Sequence, residues 1–218
     1  MSTALAVLAV SPRWEIAVAA SASLFFGAFA FAHDASHAAL GLPRRWNTAA
    51  LSVGALVMLL SGHAMRRMHL RHHARPLSDG DLEGVGARRS ALGALLGGPA
   101  NAFALRVAAF RGARRRERIV QVVESAAGVA VVALAVMTRW APLVTFVLVA
   151  AALQLSMGFW ASHVAHHVPA WLASFCKRLA FLRSPVLLSL AYHDLHHRRP
   201  RIPCEDLARF DRSDRAAS

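Results

Sequence analysis

The sequence predicts an all-α integral-membrane fold, with about three spanning helices, further re-entrant or interfacial helices, and a cap of histidines on the cytoplasmic face. Two observations predict it. The chain is 56% hydrophobic with a mean hydropathy of +0.40, yet its formal net charge is +13. Such values coexist when apolar and basic residues occupy separate stretches, as spans and loops do. In addition, eleven of the twelve histidines fall in four tight clusters, at the ends of apolar stretches or in basic segments. Basicity alone would suggest nucleic acid, but the arginines lie between long apolar runs and no nucleic-acid-binding motif is present, so no such partner is expected.

A length of 218 residues suits one domain, read here as 1–210, with 211–218 as a disordered tail. The N-terminus lacks a basic n-region and a cleavage signature, so the first apolar run is expected to persist. That run, Trp14–Ala32, opens with an interfacial Trp and is about 28 Å long as a helix, one hydrocarbon core. Trp46–Met65 is uncharged, but its continuous apolar centre is only Ala49–Leu60, which is short for a span and suits a re-entrant or in-plane segment. Ala94–Phe110 contains Gly97, Gly98, Pro99 and Arg106 and reads as an interfacial helix. Ile119–Met137, interrupted only by Glu124, and Leu143–Ser162 are long enough to cross, and the break Thr138–Pro142 suits a turn at a membrane surface. Pro185–Tyr192 is too short to span.

Charge then orients the chain. Fourteen arginines lie between Arg44 and Arg118 and nine lysines or arginines between Lys177 and Arg215, leaving only Arg13 and Arg139. Three spans, with Trp46–Met65 not crossing, put nearly all of this charge on the cytoplasmic side, as the positive-inside rule requires. Cys176 and Cys204 show no CxxC spacing and read as free thiols.

The clusters are His33–His37 (HxxxH), His69–His73 and His193–His197 (both HxxHH), and His163–His167, again HxxHH. On a helix, positions i, i+3 and i+4 share a face, so HxxxH aims two imidazoles at one point. HxxHH adds a neighbour about 100° round that can reach a second ion. Imidazole suits several transition metals. A zinc site needs about four protein ligands, far fewer than this chain offers, whereas two six-coordinate irons with open positions for oxygen would use the supply. No HExxH motif is present. His63 stands alone, as a support for ligands or a structural residue.

"AHDASHA", "RRMHLRHHARPLSDGDLEG" with its acidic residues soon after the histidines, and "YHDLHHRRPRIPCEDL" together resemble the three histidine boxes of the membrane fatty acid desaturase superfamily. Their spacing is also similar to the short bacterial carotenoid ketolases within it. The resemblance covers about residues 22–210. It implies that His33, His37, His69, His72, His73, His193, His196 and His197 hold a di-iron centre that uses O2 as co-substrate. It also implies an extra ligand from "FWASHVAHHVP", where His163 and His167 share a face and His166 stays open. Asp34, Glu124 and Asp194 are candidate acceptors for the outer N–H groups of ligand imidazoles; Glu124 is alternatively an interfacial carboxylate paired with an Arg.

The implied activity is oxygen-dependent desaturation of a fatty acid or lipid acyl chain. Hydroxylation or ketolation of a lipid or carotenoid shares the first hydrogen abstraction, so the boxes leave both open. The implied partners are a lipid-like substrate and an electron-donor protein of ferredoxin, rubredoxin or cytochrome type, in a bacterial inner membrane with the site facing the cytoplasm. The Arg111–Arg118 cluster would meet anionic headgroups or an acidic electron carrier. A non-enzymatic metal carrier would instead need polar residues along its spans, which are nearly free of them.

Overall fold

The computed structural model describes residues 13–216, within which every regular element is helical. Helix α1, Trp14–Ser36, buries Ala17, Ala20, Leu24, Ala28, Ala32 and Ala35 at helical spacing. Inside a membrane, apolar side chains gain little by leaving lipid, so helices associate through close packing of small residues. The partner is α2, Arg44–Val57, where a Cβ on Gly54 would stand only 3.0 Å from Phe31 and 3.2 Å from Ala32. Phe25, Ala28, Ala32 and Ala35 of α1 join Leu51, Ala55 and Met58 from the α2 segment in one core. Ala150 of α7, Ala141–Leu155, completes it.

The apolar run Trp46–Met65 does not continue straight. Helix α2 ends at Met58, and α3, Gly62–Ala74, leaves at 102° to it. Leu59 takes a left-handed backbone conformation at the corner (φ 57°). Ser61 caps α3 by accepting the Ala64 N–H at 3.1 Å, and the Gln154 amide donates to the Met58 carbonyl at 2.7 Å. The strongest restraint comes from α6, Arg115–Thr138. Its buried Glu124 carboxylate accepts from Ser52 Oγ (2.5 Å), Ser61 Oγ (2.6 Å), the His63 backbone N–H (3.2 Å) and His63 Nδ1 (2.9 Å). A negative charge thus lies against the N-terminus of α3, where the helix dipole favours it. Neither reading of Glu124 as a support for ligand imidazoles nor as an arginine's partner describes this arrangement; its partner is the solitary His63.

Helices α1 and α6 are each long and apolar enough to cross a membrane. The third expected span is bent: α7 stops at Leu155, and a π-helix, Gly158–Val164, continues at 44° to it. The turn between α6 and α7 is short, with Arg139 in the left-handed region (φ 52°). The expected interfacial segment divides into α4, Ala91–Leu96, and α5, Gly98–Gly112. Gly98 is required where α5 begins, because any Cβ there would run into the Leu155 carbonyl. From that point α5 lies across the end of α7 and reaches α3, where the Gly112 carbonyl accepts from the Arg67 guanidinium. Short helices follow: α8 (Ala170–Arg178), α9 (Pro185–Ala191), α10 (His193–Arg198) and α11 (Leu207–Ala216). Helix α11 carries regular structure into the expected tail, of which 217–218 lie outside the described residues, as do the N-terminal residues 1–12.

Replacing Glu124 by Leu should strip the corner of its shared acceptor and cost about 3 kcal/mol or more, seen as a lower thermal midpoint in detergent. Ser52→Ala alone should cost about 1 kcal/mol.

Candidate metal centre

The end of α1, the length of α3, the segment after the π-helix, and α10 converge on one side of the bundle. Helical spacing sorts their histidines. His33, His37, His69, His73 and His196 offer ligand atoms that all lie within 4.8 Å of one another, and His72, His166 and His197 form a second such group. His193 belongs beside the second, with Nε2 3.4 Å from His166 Nε2 and 3.1 Å from His197 Nε2. The second and third boxes therefore each feed both groups. His73 joins the first and its neighbour His72 the second; His196 joins the first and His197 the second. This is the division that a rotation of about 100° per residue imposes.

The outer face of the imidazoles is built from acids. Asp81 Oδ2 lies 2.6 Å from His72 Nδ1, and Glu83 Oε1 lies 2.6 Å from His69 Nδ1. Such contacts fix the ring orientation and leave Nε2 with its lone pair turned inward. The Asp81 carboxylate also accepts the Leu77 and Glu83 backbone N–H groups at 2.9 and 3.1 Å, which closes the loop after α3. Burial by itself would raise the Asp81 carboxyl, but the His72 and backbone hydrogen bonds hold it down at about 2. Glu83 faces an internal cavity instead of bulk water, and that desolvation pushes it up to about 7 against the pull of His72. Neither acid is among the acceptors inferred from the sequence, although both belong to the acidic stretch that follows the second box.

The expected acceptors behave differently. Asp34 accepts the Cys204 backbone N–H at 3.1 and 3.3 Å and stands 3.5 Å from His33 Nδ1, tying the first box to the segment after the third. The buried Cys204 thiol, also 3.5 Å from His33 Nδ1, completes that contact, and burial raises its pKa well above the ordinary range. Asp194 is exposed, and Arg198 donates to its backbone carbonyl at 3.3 Å.

The fourth cluster needs a correction as well. A regular helix would present His163 and His167 together, but the structure brings His166 to the other histidines, 3.3 Å from His72 Nε2. His163 and His167 pair with each other instead, His163 stacking on Phe159 and the His163 carbonyl lying 2.9 Å from His167 Nδ1. The physical reason is the π-helix. It bends the end of the span and so changes which face meets the site, while His163 and His167 keep their common face and turn it elsewhere.

The donor set fits cations. His37 Nε2 and His69 Nε2 are buried without a hydrogen-bond partner, and elsewhere Nε2 faces Nε2 at 3.1 Å, as in His73 with His196. Burial, then neighbouring imidazoles, lowers His193 and His196 and takes His197 down to about 4, keeping these rings in the neutral form that ligates metal. These histidine groups can bind metal.

As pH falls below 6.5, the unfolded chain takes up protons on these histidines before the folded one does. The metal-free protein should therefore lose stability between pH 6.5 and 4, checked by thermal unfolding across that range. Asp81→Ala should weaken Fe(II) or Co(II) binding about 10- to 100-fold in a titration, whereas Asp194→Ala should leave it unchanged.

A family model described as fatty acid desaturase matches residues 12–218. No curated protein and no solved structure matches the chain. A match over nearly the whole length, on an all-α membrane protein whose histidines gather as described, settles the membership: the chain belongs to the fatty acid desaturase family.

Proposed function

We propose that this protein is a di-iron, oxygen-dependent oxidoreductase that desaturates the acyl chain of a lipid. One observation carries the reading beyond the family. An apolar cavity of about 1040 Å³ between α3, α5, α6 and α7 meets a smaller one of about 210 Å³ that opens on the histidines, and the two share Phe29, His69, Glu83, Ala161 and Ser162 as walls. The larger volume is at the upper end for ligand cavities, and its apolar wall suits a hydrocarbon chain. The shared wall would deliver a carbon of that chain to the metal groups.

In this reading His33, His37, His69, His73 and His196 hold one iron and His72, His166, His193 and His197 the other. When bound, the irons supply the oxygen activation that removes hydrogen from unactivated methylenes. The net change takes two hydrogens from adjacent carbons and, with two electrons and two protons, reduces O2 to two waters. The electrons come from a small redox protein of ferredoxin, rubredoxin or cytochrome type. The chain's own residues orient and shield. Glu83 and Asp81 fix the His69 and His72 rings. Trp160 packs edge-on against Phe26 and Phe29, with ring centroids 5.0 and 4.9 Å apart, and with Phe29 walls the approach against water. The distribution of arginines supports an inner-membrane protein with this face in the cytoplasm.

Purified protein should contain two irons per chain. A host expressing it should show altered lipids that a His196→Ala control lacks, measured by lipid and pigment profiling; absence of iron removes the reading. Label from 18O2 in the product would replace desaturation by hydroxylation or ketolation. Ala161→Phe should close the shared wall and abolish turnover while the iron content stays unchanged.

A further inference from the structure

The large cavity carries a cation that the chemistry above does not use. Arg106 lies in the middle of α5 and lines the cavity, as does Arg111 five residues later. An arginine on an interfacial helix ordinarily stretches its guanidinium toward headgroups and water. Arg106 instead turns toward α7, donating to Gln154 Oε1 and to the Ala102 carbonyl, the latter at 2.9 Å. Those two bonds leave further guanidinium N–H donors uncommitted, and among the described residues no carboxylate pairs with it. Across the cavity, Gln121 of α6 lines the same space, and its buried Nε2 has no acceptor among the described residues. An otherwise apolar cavity thus carries the positive charge of an exposed arginine on one wall and a buried, unmet amide donor on another. The unmet amide is costly by itself, and an anionic oxygen would suit the free N–H donors of the guanidinium.

We propose that Arg106, assisted by Arg111 and Gln121, binds the anionic head of the substrate, so that the substrate is an acyl chain ending in a carboxylate or phosphate and not a neutral pigment. The position suits it. Gln154, which holds the guanidinium, lines the same cavity as Ser162 of the shared wall, eight residues further along the bent end of the third span. A head held at Arg106 therefore leaves a tail able to reach the histidines. This inference rests on the cavity assigned above as the substrate's path, but its test requires neither iron nor turnover.

The full chain, purified in neutral detergent, would be titrated with the fluorescent probe cis-parinaric acid and separately with its methyl ester. The wild type should bind the acid about tenfold or more tightly than the ester, the difference expected of a charge-assisted contact. Arg106→Gln should erase that difference with ester binding unchanged, and Arg106→Lys should retain most of it. Displacement of the acid by oleate alone identifies a carboxylate head, and displacement by lysophosphatidate a phosphate head; either supports the proposal. Equal binding of acid and ester by the wild type overturns it even if Arg106→Gln does not fold. An acid preference that survives in a folded Arg106→Gln protein overturns it too. A protein that prefers the acid but holds no iron would overturn the oxidative reading while leaving this site standing.

Discussion

A carboxylate among apolar helices is costly unless its oxygens are fully hydrogen-bonded, and Glu124 meets that demand at one place only, the corner between α2 and α3. Ser52 comes from α2, Ser61 from the corner, and His63 from the first turn of α3. The carboxylate can be satisfied only while α2 stops and α3 turns away. Helix α3 carries all three histidines of the second box, so the angle of that turn decides whether His69, His72 and His73 meet the first box or point elsewhere. The metal centre depends on a hydrogen-bond requirement that contains no metal ligand.

A second constraint works outward from the histidines. An imidazole presents a lone pair reliably only when its other nitrogen is committed, and a carboxylate commits it most strongly. Asp81 and Glu83 do this for the second and first groups respectively, from one short loop that Asp81 itself closes. Gly86 lets that loop settle on the π-helix, since a Cβ there would strike the Gly158 carbonyl, and the Ala87 N–H donates to Ser162 Oγ at 3.0 Å. The loop thus connects two box segments, and Glu83 also walls both cavities.

The π-helix links the remaining features. By unwinding the end of the third span it brings His166 to His72, and it places Trp160, Ala161 and Ser162 on the walls around the smaller cavity. π-Helical segments recur at functional sites because a slower winding re-aims side chains without ending the helix.

Much of this protein could be read from its sequence, because the governing rules are local. Apolar length sets which segments can span, and a fixed rotation per residue divides the second and third histidine boxes between two groups. The short apolar centre of Trp46–Met65 already set it apart from the longer runs, and the structure bends it by 102°. What tertiary structure decided lies where residues distant in the chain compete for one another. Glu124 took His63 as partner, 61 residues away. Asp34 took the Cys204 backbone, 170 residues away. Asp81 and Glu83, in place of Asp194, reached the outer nitrogens, because a loop and not a helix presents them. The choice of His166 over His163 and His167 turned on which face of the bent span end meets the other segments, and a residue count along one helix does not contain that. A sequence states which groups can ligate or accept; only packing decides which of them face each other, since each burial leaves some polar atom needing a partner that any part of the chain can supply.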